Sequence, residues 1–183
     1  MDLTNLQAVE KRARRKYEWA RVRRAVLGFS PALVVVAAAA LNARHPGSAA
    51  AFGIAMFAAG VLLLWYGRDL RRAVLPGLAL GILPLVLALC ANHVHSCSGT
   101  MCMSWCVPAC TVGGLGAGIG VGIIGHRARR SIGYWAGASA LTLLTGAMGC
   151  SCAGYAGVLG LVAGFALGIA PELVRSFIAR RQH

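Results

Sequence analysis

The chain has 183 residues and a formal net charge of +13, and 58% of its residues are hydrophobic whereas only 13% are charged. In a soluble domain about a quarter of the residues would be charged. The uncharged stretches of this chain approach the roughly 20 apolar residues that a helix needs to cross a bilayer. A soluble fold is therefore excluded. Membrane topology explains the basic excess better than nucleic-acid binding does, and no nucleic-acid partner is expected.

Residues 1–24 form a basic segment ahead of the first apolar stretch. Thr4 and Gln7 have the spacing of a helix-capping box. Apolar residues recur at steps of three and four between the Lys and Arg residues: Leu6, Val9, Ala13, Tyr17 and Ala20. The pattern over residues 4–24 predicts an amphipathic helix on an anionic inner leaflet, so anionic lipid headgroups are an expected partner. The alternative is a segment that serves only as a topogenic signal.

Six apolar segments follow and predict an all-α integral membrane protein. They lie near residues 25–42, 49–66, 73–92, 107–125, 132–149 and 153–171. Pro84, near the middle of the third segment, predicts a kink there. Residues 25–171 are therefore interpreted as one six-span helical bundle in the lipid bilayer, followed by a basic tail over residues 172–183.

The connecting loops alternate between basic and uncharged, and this alternation predicts the orientation. All 18 Lys and Arg residues except Arg44 fall on one side of the six-span arrangement. By the positive-inside rule that side is the cytoplasm, so both termini are predicted to be cytoplasmic. The excess of Arg over Lys and the abundance of Ala and Gly favour a bacterial genome. The expected location is therefore the bacterial cytoplasmic (inner) membrane.

The aromatic residues agree with this orientation, because Trp and Tyr prefer the membrane interfaces. They fall near the predicted span ends, with Trp19, Trp65, Tyr66, Tyr134 and Trp135 on the inner side and Trp105 and Tyr155 on the outer side.

Glycines at four-residue spacing predict close helix packing within the bundle. The fourth span carries Gly114, Gly118 and Gly122, and the sixth carries Gly160, Gly164 and Gly168. A glycine face lets a neighbouring backbone approach and gain dispersion contacts that lipid does not supply. The partner helix is expected within the same chain, with a second copy or another protein as the alternative.

The predicted spans contain polar but uncharged side chains. Ser30, Ser139, Thr142 and Thr145 are expected to bond to backbone carbonyls or neighbouring helices. No Asp, Glu, Lys or Arg lies within a predicted span. Because intramembrane charges mark proton and ion pathways, their absence counts against a proton-driven transporter.

All seven cysteines map to the predicted outer side, in or near the loops 91–106 and 149–152. They are Cys90, Cys97, Cys102, Cys106, Cys110, Cys150 and Cys152. An oxidising outer compartment permits disulfides. A direct bond between Cys150 and Cys152 would be strained, so bridges between loops are preferred. Because seven is odd, at least one cysteine is unpaired or bound elsewhere, with Cys90 or Cys110 as the candidate.

Two other interpretations of the cysteines remain open. Cys102, Cys106 and Cys110 share a helix face if the fourth helix begins early, and with Cys150, Cys152, His93 and His95 they would suit copper or zinc. The familiar paired CxxC spacing of such sites is absent. The third interpretation is a membrane thiol–disulfide oxidoreductase, which typically uses a CxxC pair.

The expected function is non-catalytic, and no catalytic residue is assigned. The uncharged outer loop favours burial under a membrane-protein partner or a second copy. We therefore expect a structural or assembly subunit of a bacterial inner-membrane complex with a disulfide-stapled outer cap and no cofactor. Soft-metal handling, with copper or zinc bound, is the first alternative, and thiol–disulfide exchange is the second.

Overall fold

The chain is an integral, multi-pass membrane protein with an all-helical bundle. The structure is a computed structural model that describes residues 3–42, 46–66, 68–94, 101–127 and 131–181. The helices of these ranges are α1 (Leu3–Phe29), α2 (Ala32–Asn42), α3 (Pro46–Tyr66), α4 (Arg68–Val94), α5 (Met101–Arg127), α6 (Ile132–Cys150) and α7 (Gly154–Arg181), with a 3₁₀ turn at Ser151–Ala153. The prediction of a helical membrane protein is confirmed.

Within the residues that the structure describes, four helices are long and apolar enough to cross a membrane. Their candidate spans are Gly47–Trp65, Leu70–Ala91, Trp105–Arg127 and Gly154–Arg175. These coincide with the second, third, fourth and sixth predicted segments. A fifth candidate is the bent pair Glu10–Phe29 and Ala32–Leu41.

The first predicted segment, 25–42, contains a break between two helices. The axis turns by 48° between α1 and α2. Pro31 follows the end of α1 and has no N–H to continue its hydrogen-bond ladder. The Ser30 hydroxyl donates to the Leu27 carbonyl at 2.8 Å, as predicted for a serine in this position. The basic segment therefore continues as helix into the first apolar segment as far as Phe29, and α2 forms the rest.

The predicted fifth segment, 132–149, forms α6, which is not among the four candidate spans. Eleven of its 19 residues are buried. Tyr134 is only 1% exposed and packs against Val121 and Phe165. Its predicted depth at the membrane interface stays a prediction, but its side chain is covered by neighbouring helices.

Glycines on α4 allow α6 to lie close against it. A Cβ at Gly77 would come within 3.0 Å of the Ala138 carbonyl oxygen. The Thr142 hydroxyl donates to the Gly77 carbonyl at 3.0 Å, and the Thr145 hydroxyl donates to the Leu141 carbonyl at 2.7 Å. These bonds agree with the roles predicted for the two threonines.

Pro84 lies at the junction of three helices. It is buried inside α4, which runs through it as one helix. A Cβ at Gly113 of α5 would lie 2.7 Å from Pro84 Cα, and one at Gly146 of α6 would lie 2.9 Å from Pro84 Cγ. The ring thus occupies space that only glycines on the two neighbouring helices leave open. The predicted kink at Pro84 stays a prediction.

The six glycines predicted for helix packing lie between α5 and α7. A Cβ at Gly114 or Gly118 would overlap a carbonyl oxygen of α7, and one at Gly164 or Gly168 would overlap a carbonyl oxygen of α5. The remaining two glycines meet side chains of the opposite helix, Gly122 meeting Glu172 and Gly160 meeting Thr111. Residue numbers rise together along the contact, so α5 and α7 are parallel.

Gly164→Ala is expected to lower the free energy of unfolding by about 1–3 kcal/mol, because the new methyl would overlap the Thr111 carbonyl and force the backbones apart. The matched control is Gly28→Ala, since nothing lies within 4 Å of a Cβ at Gly28. The control should be neutral or slightly stabilising. Thermal unfolding in mild detergent, followed by circular dichroism, measures both. Equal stability of the two variants would contradict the close α5–α7 contact.

Candidate functional site

One end of the bundle gathers the cysteines that the structure describes. Cys90 lies near the end of α4, Cys106 and Cys110 lie in the first half of α5, and Cys150 ends α6. Because α5 begins at Met101 and not near 107, its cysteines stand at four-residue spacing on one continuous helix. Cys97 and His95 lie outside the described residues, as do the side chains of His93, Cys102 and Cys152.

Cys110 and Cys150 form a disulfide that joins α5 to α6. Their Cα atoms are 5.9 Å apart, and 40 residues separate them in the sequence. Both side chains are completely buried, in a cluster with Ala88 of α4 and Leu161 of α7. The expectation of a disulfide between different parts of the cysteine-rich end is confirmed for this pair.

The choice of the unpaired cysteine is corrected in part. Cys110 is one of the two candidates, but it lies in the disulfide because α5 packs against α6 with the Cα atoms of Cys110 and Cys150 5.9 Å apart. Cys90, the other candidate, is a free thiol exposed on α4.

A tight turn after α6 positions Cys150. Gly149 lies against α4, where an added Cβ would be 3.0 Å from Leu85 Cα. The Ser151 hydroxyl donates to the Met148 carbonyl at 2.9 Å, which supports the last turn of α6. Gly154 then takes a φ of 66°, a left-handed conformation that favours glycine, and α7 begins. The chain reverses so quickly that Cys150 stays inside the bundle.

Cys106 lies one helical turn before Cys110 and is also buried. It packs against Ala91 of α4 and Ala153 of the 3₁₀ turn. Thiol–disulfide exchange requires a thiolate from another molecule to reach a sulfur atom. Because the side chains of Cys106, Cys110 and Cys150 are all shielded from solvent, the arrangement suits a lasting cross-link better than exchange.

The residues proposed for a soft metal are only partly within the described part of the chain. Among the residues that the structure describes, no group of three or more His, Cys, Asp or Glu side chains could hold a metal ion. Cys110 and Cys150 cannot serve as thiolate ligands while their disulfide is intact. The set of Cys102, Cys106, Cys152, His93 and His95 stays a prediction.

At the opposite end of the bundle, Glu172 contributes contacts that the sequence analysis missed. Its side chain is 16% exposed; one carboxylate oxygen accepts from Arg175 at 3.2 Å and the other lies 3.9 Å from Nδ1 of His126. The Arg175 contact follows from i,i+3 spacing within α7. The contact with His126, a half-exposed residue of α5, depends on the register of α5 against α7.

No protein-family model, curated protein or solved structure matches the chain. Its function is therefore inferred from the geometry of the cysteine-rich end and from the charge pattern.

Replacing both bridged cysteines (C110A/C150A) is expected to lower the free energy of unfolding by about 2–4 kcal/mol, because the bridge restricts the unfolded chain over a separation of 40 residues. Cys90→Ala is the matched control and should change stability by less than about 0.5 kcal/mol. Denaturant unfolding in detergent measures both variants.

The same geometry predicts the order of thiol labelling. In the native, non-reduced protein a maleimide should modify the exposed Cys90, whereas Cys110 and Cys150 should react only after reduction and unfolding. Peptide mass mapping locates the label. Labelling of Cys110 without reductant would contradict the buried disulfide.

Proposed function

We propose that the protein is a non-catalytic structural or assembly subunit of a bacterial inner-membrane complex. The observation that carries the proposal is the complete burial of the Cys110–Cys150 disulfide among four helices. A cross-link in that position holds the outer end of the bundle in one shape and offers no sulfur to a substrate. A fixed end is what a docking surface for a partner requires, since pre-organisation lowers the cost of association.

The proposed topology has six spans with both termini in the cytoplasm. Along the contact between α4 and α6, the residue numbers of both helices increase in the same direction, from Gly77 to Leu85 on α4. Helix α6 therefore runs parallel to α4, which contains a candidate span. Its 19 residues extend about 28 Å, close to the thickness of the hydrocarbon core. We therefore count α6 as the fifth span and the end of α1 together with α2 as the first. The basic loops orient the bundle.

The outer end is the proposed contact surface for a membrane-protein partner or a second copy. In the six-span topology, Arg44 is the only Lys or Arg on the outer side of the membrane. No Asp or Glu falls on that side. Trp105 and Tyr155, on α5 and α7, are 59% and 91% exposed there. Large aromatic side chains with few charges around them are typical of the centres of protein interfaces.

Soft-metal handling is the second candidate function. The observation that favours it is the start of α5 at Met101, which places residues 102, 106 and 110 at successive four-residue steps of one helix. This function requires the disulfide to be reduced, so that Cys110 becomes available to copper or zinc. Metal analysis of the protein as isolated, without added reductant, distinguishes the two functions: a protein with an intact Cys110–Cys150 bridge carries no stoichiometric metal on these sulfurs, whereas a metal-handling protein carries free thiols with copper or zinc bound.

The topology predicts which side of the membrane each segment reaches. In intact bacterial cells a membrane-impermeant maleimide should label Cys90 from outside, and a fluorescent protein fused after His183 should mature in the cytoplasm. The variant Cys90→Ala measures the background labelling, because it lacks the thiol that the maleimide should modify. An odd number of spans would put the fused reporter on the outer side, where it would not become fluorescent.

The subunit proposal predicts a stoichiometric partner. Purification in mild detergent should recover the protein with a second membrane protein or as a homo-oligomer. C110A/C150A should lose the partner because the outer end is no longer fixed, whereas Cys90→Ala should keep it. Recovery of only a lone monomer across several gentle preparations would overturn the proposal.

A further inference from the structure

The helix α1 carries a cationic surface that the bundle leaves uncovered. The side chains from Glu10 to Arg21 are all exposed, and Ala25 is the first buried residue in the described part of α1. Phe29 then anchors the end of α1 to α3, with its ring centroid 5.6 Å from that of Phe57. The basic part of α1 is thus fixed to the bundle at one end while its side chains remain available to a ligand.

A shallow surface groove lies on this helix, just before it enters the bundle. It is lined by Lys16, Trp19, Ala20, Arg23, Arg24 and Leu27. At 3.6 residues per turn, most of these positions share one face, and that face is opposite to Ala25 and Phe29. Because Ala25 and Phe29 are buried, the groove is turned away from the bundle.

The order of side chains along the groove matches the layers of a membrane surface. Lys16 and the two arginines supply positive charge, Trp19 supplies an interfacial aromatic ring, and Leu27 supplies an apolar contact nearest the span. A guanidinium group can donate two parallel hydrogen bonds to the oxygens of one phosphate. Trp prefers the depth of the lipid headgroups. A ligand that satisfies the whole groove therefore has a phosphate at one end and an acyl chain at the other.

The bend between α1 and α2 brings the groove within reach of the headgroups. Lys16 lies roughly 13 Å along the helix axis from Ala25. With α2 along the membrane normal, the 48° bend reduces the height of Lys16 above Ala25 to roughly 9 Å. Headgroup layers are several ångströms thick, and charges attract anionic lipids over about a Debye length of 8–10 Å. Lys16, Arg23 and Arg24 all lie within that distance of Ala25 along the membrane normal.

We propose that this groove binds the headgroup of an anionic phospholipid in the leaflet that α1 enters. Arg23 and Arg24 hold the phosphate, Lys16 adds charge, and Leu27 contacts the start of the acyl chain. The proposal goes beyond a diffuse attraction of the basic segment to the membrane, because it assigns a site to one face of the helix. It does not depend on the disulfide or on a protein partner.

Two triple variants with the same loss of charge test the site. K16Q/R23Q/R24Q removes the cations of the groove, and K11Q/R12Q/R15Q removes three exposed cations of α1 outside it. The full-length proteins in detergent are titrated with phosphatidylglycerol and with phosphatidylcholine, and bound lipid is counted by native mass spectrometry. The groove variant should bind the first phosphatidylglycerol roughly tenfold or more weakly, and the control should stay within about threefold. Phosphatidylcholine binding should not change.

The other outcomes overturn the proposal. An equal loss in both variants would mean diffuse attraction without a site, and no loss in either would place the lipid elsewhere. Glycerol phosphate that competes as well as the lipid would show that the acyl contact at Leu27 contributes nothing. Groove-dependent binding of a 20-nucleotide single strand in preference to the lipid would assign the surface to nucleic acid. An intact disulfide in each variant, seen by mass, shows that the fold is retained, and partner recovery is scored separately.

Discussion

Close backbone contact between parallel helices is the interaction on which the rest of the bundle depends. In lipid, apolar side chains gain little by leaving their surroundings, so association relies on van der Waals contact and hydrogen bonds between helices. Glycines allow van der Waals contact between α5 and α7 and between α4 and α6, and the Thr142 hydroxyl adds a hydrogen bond to the Gly77 carbonyl in the second pair. Each pair fixes a register, and the register of α5 against α7 in turn sets the distance between His126 and Glu172.

The disulfide joins one helix of each parallel pair. Cys110 belongs to the α5–α7 pair and Cys150 to the α4–α6 pair. Pro84 connects the same pairs by packing, because it occupies the space beside glycines of α5 and α6. The four-helix core is therefore held by a covalent bond at one end and by contacts along its length, while α1 and α2 attach to it through α3. This arrangement accounts for a fixed cysteine-rich end and for an N-terminal helix whose basic side chains remain exposed.

The sequence predicted those features that depend on local composition. Apolar length located α3, α4, α5 and α7, and glycine spacing located the α5–α7 contact. Local composition does not predict which side chains one helix presents to another, so the burial of Tyr134 and the pairing of Cys110 could not be predicted. Tyr134 resembles an interfacial residue by its position in the sequence, yet neighbouring helices cover it. Cys110 could be paired only once the packing of α5 against α6 was known. The break at Ser30–Pro31 carried a local signal in its proline, but the apolar run across it suggested one segment.

The location of the disulfide imposes an order on biogenesis. Cys110 is near the beginning of α5 and Cys150 is the last residue of α6, so the two sulfurs meet only after both helices and the loop between them have been synthesised and paired. Oxidation of this pair therefore follows the pairing of α5 with α6. Once the neighbouring helices close over the bridge, cellular reductants lose access to it.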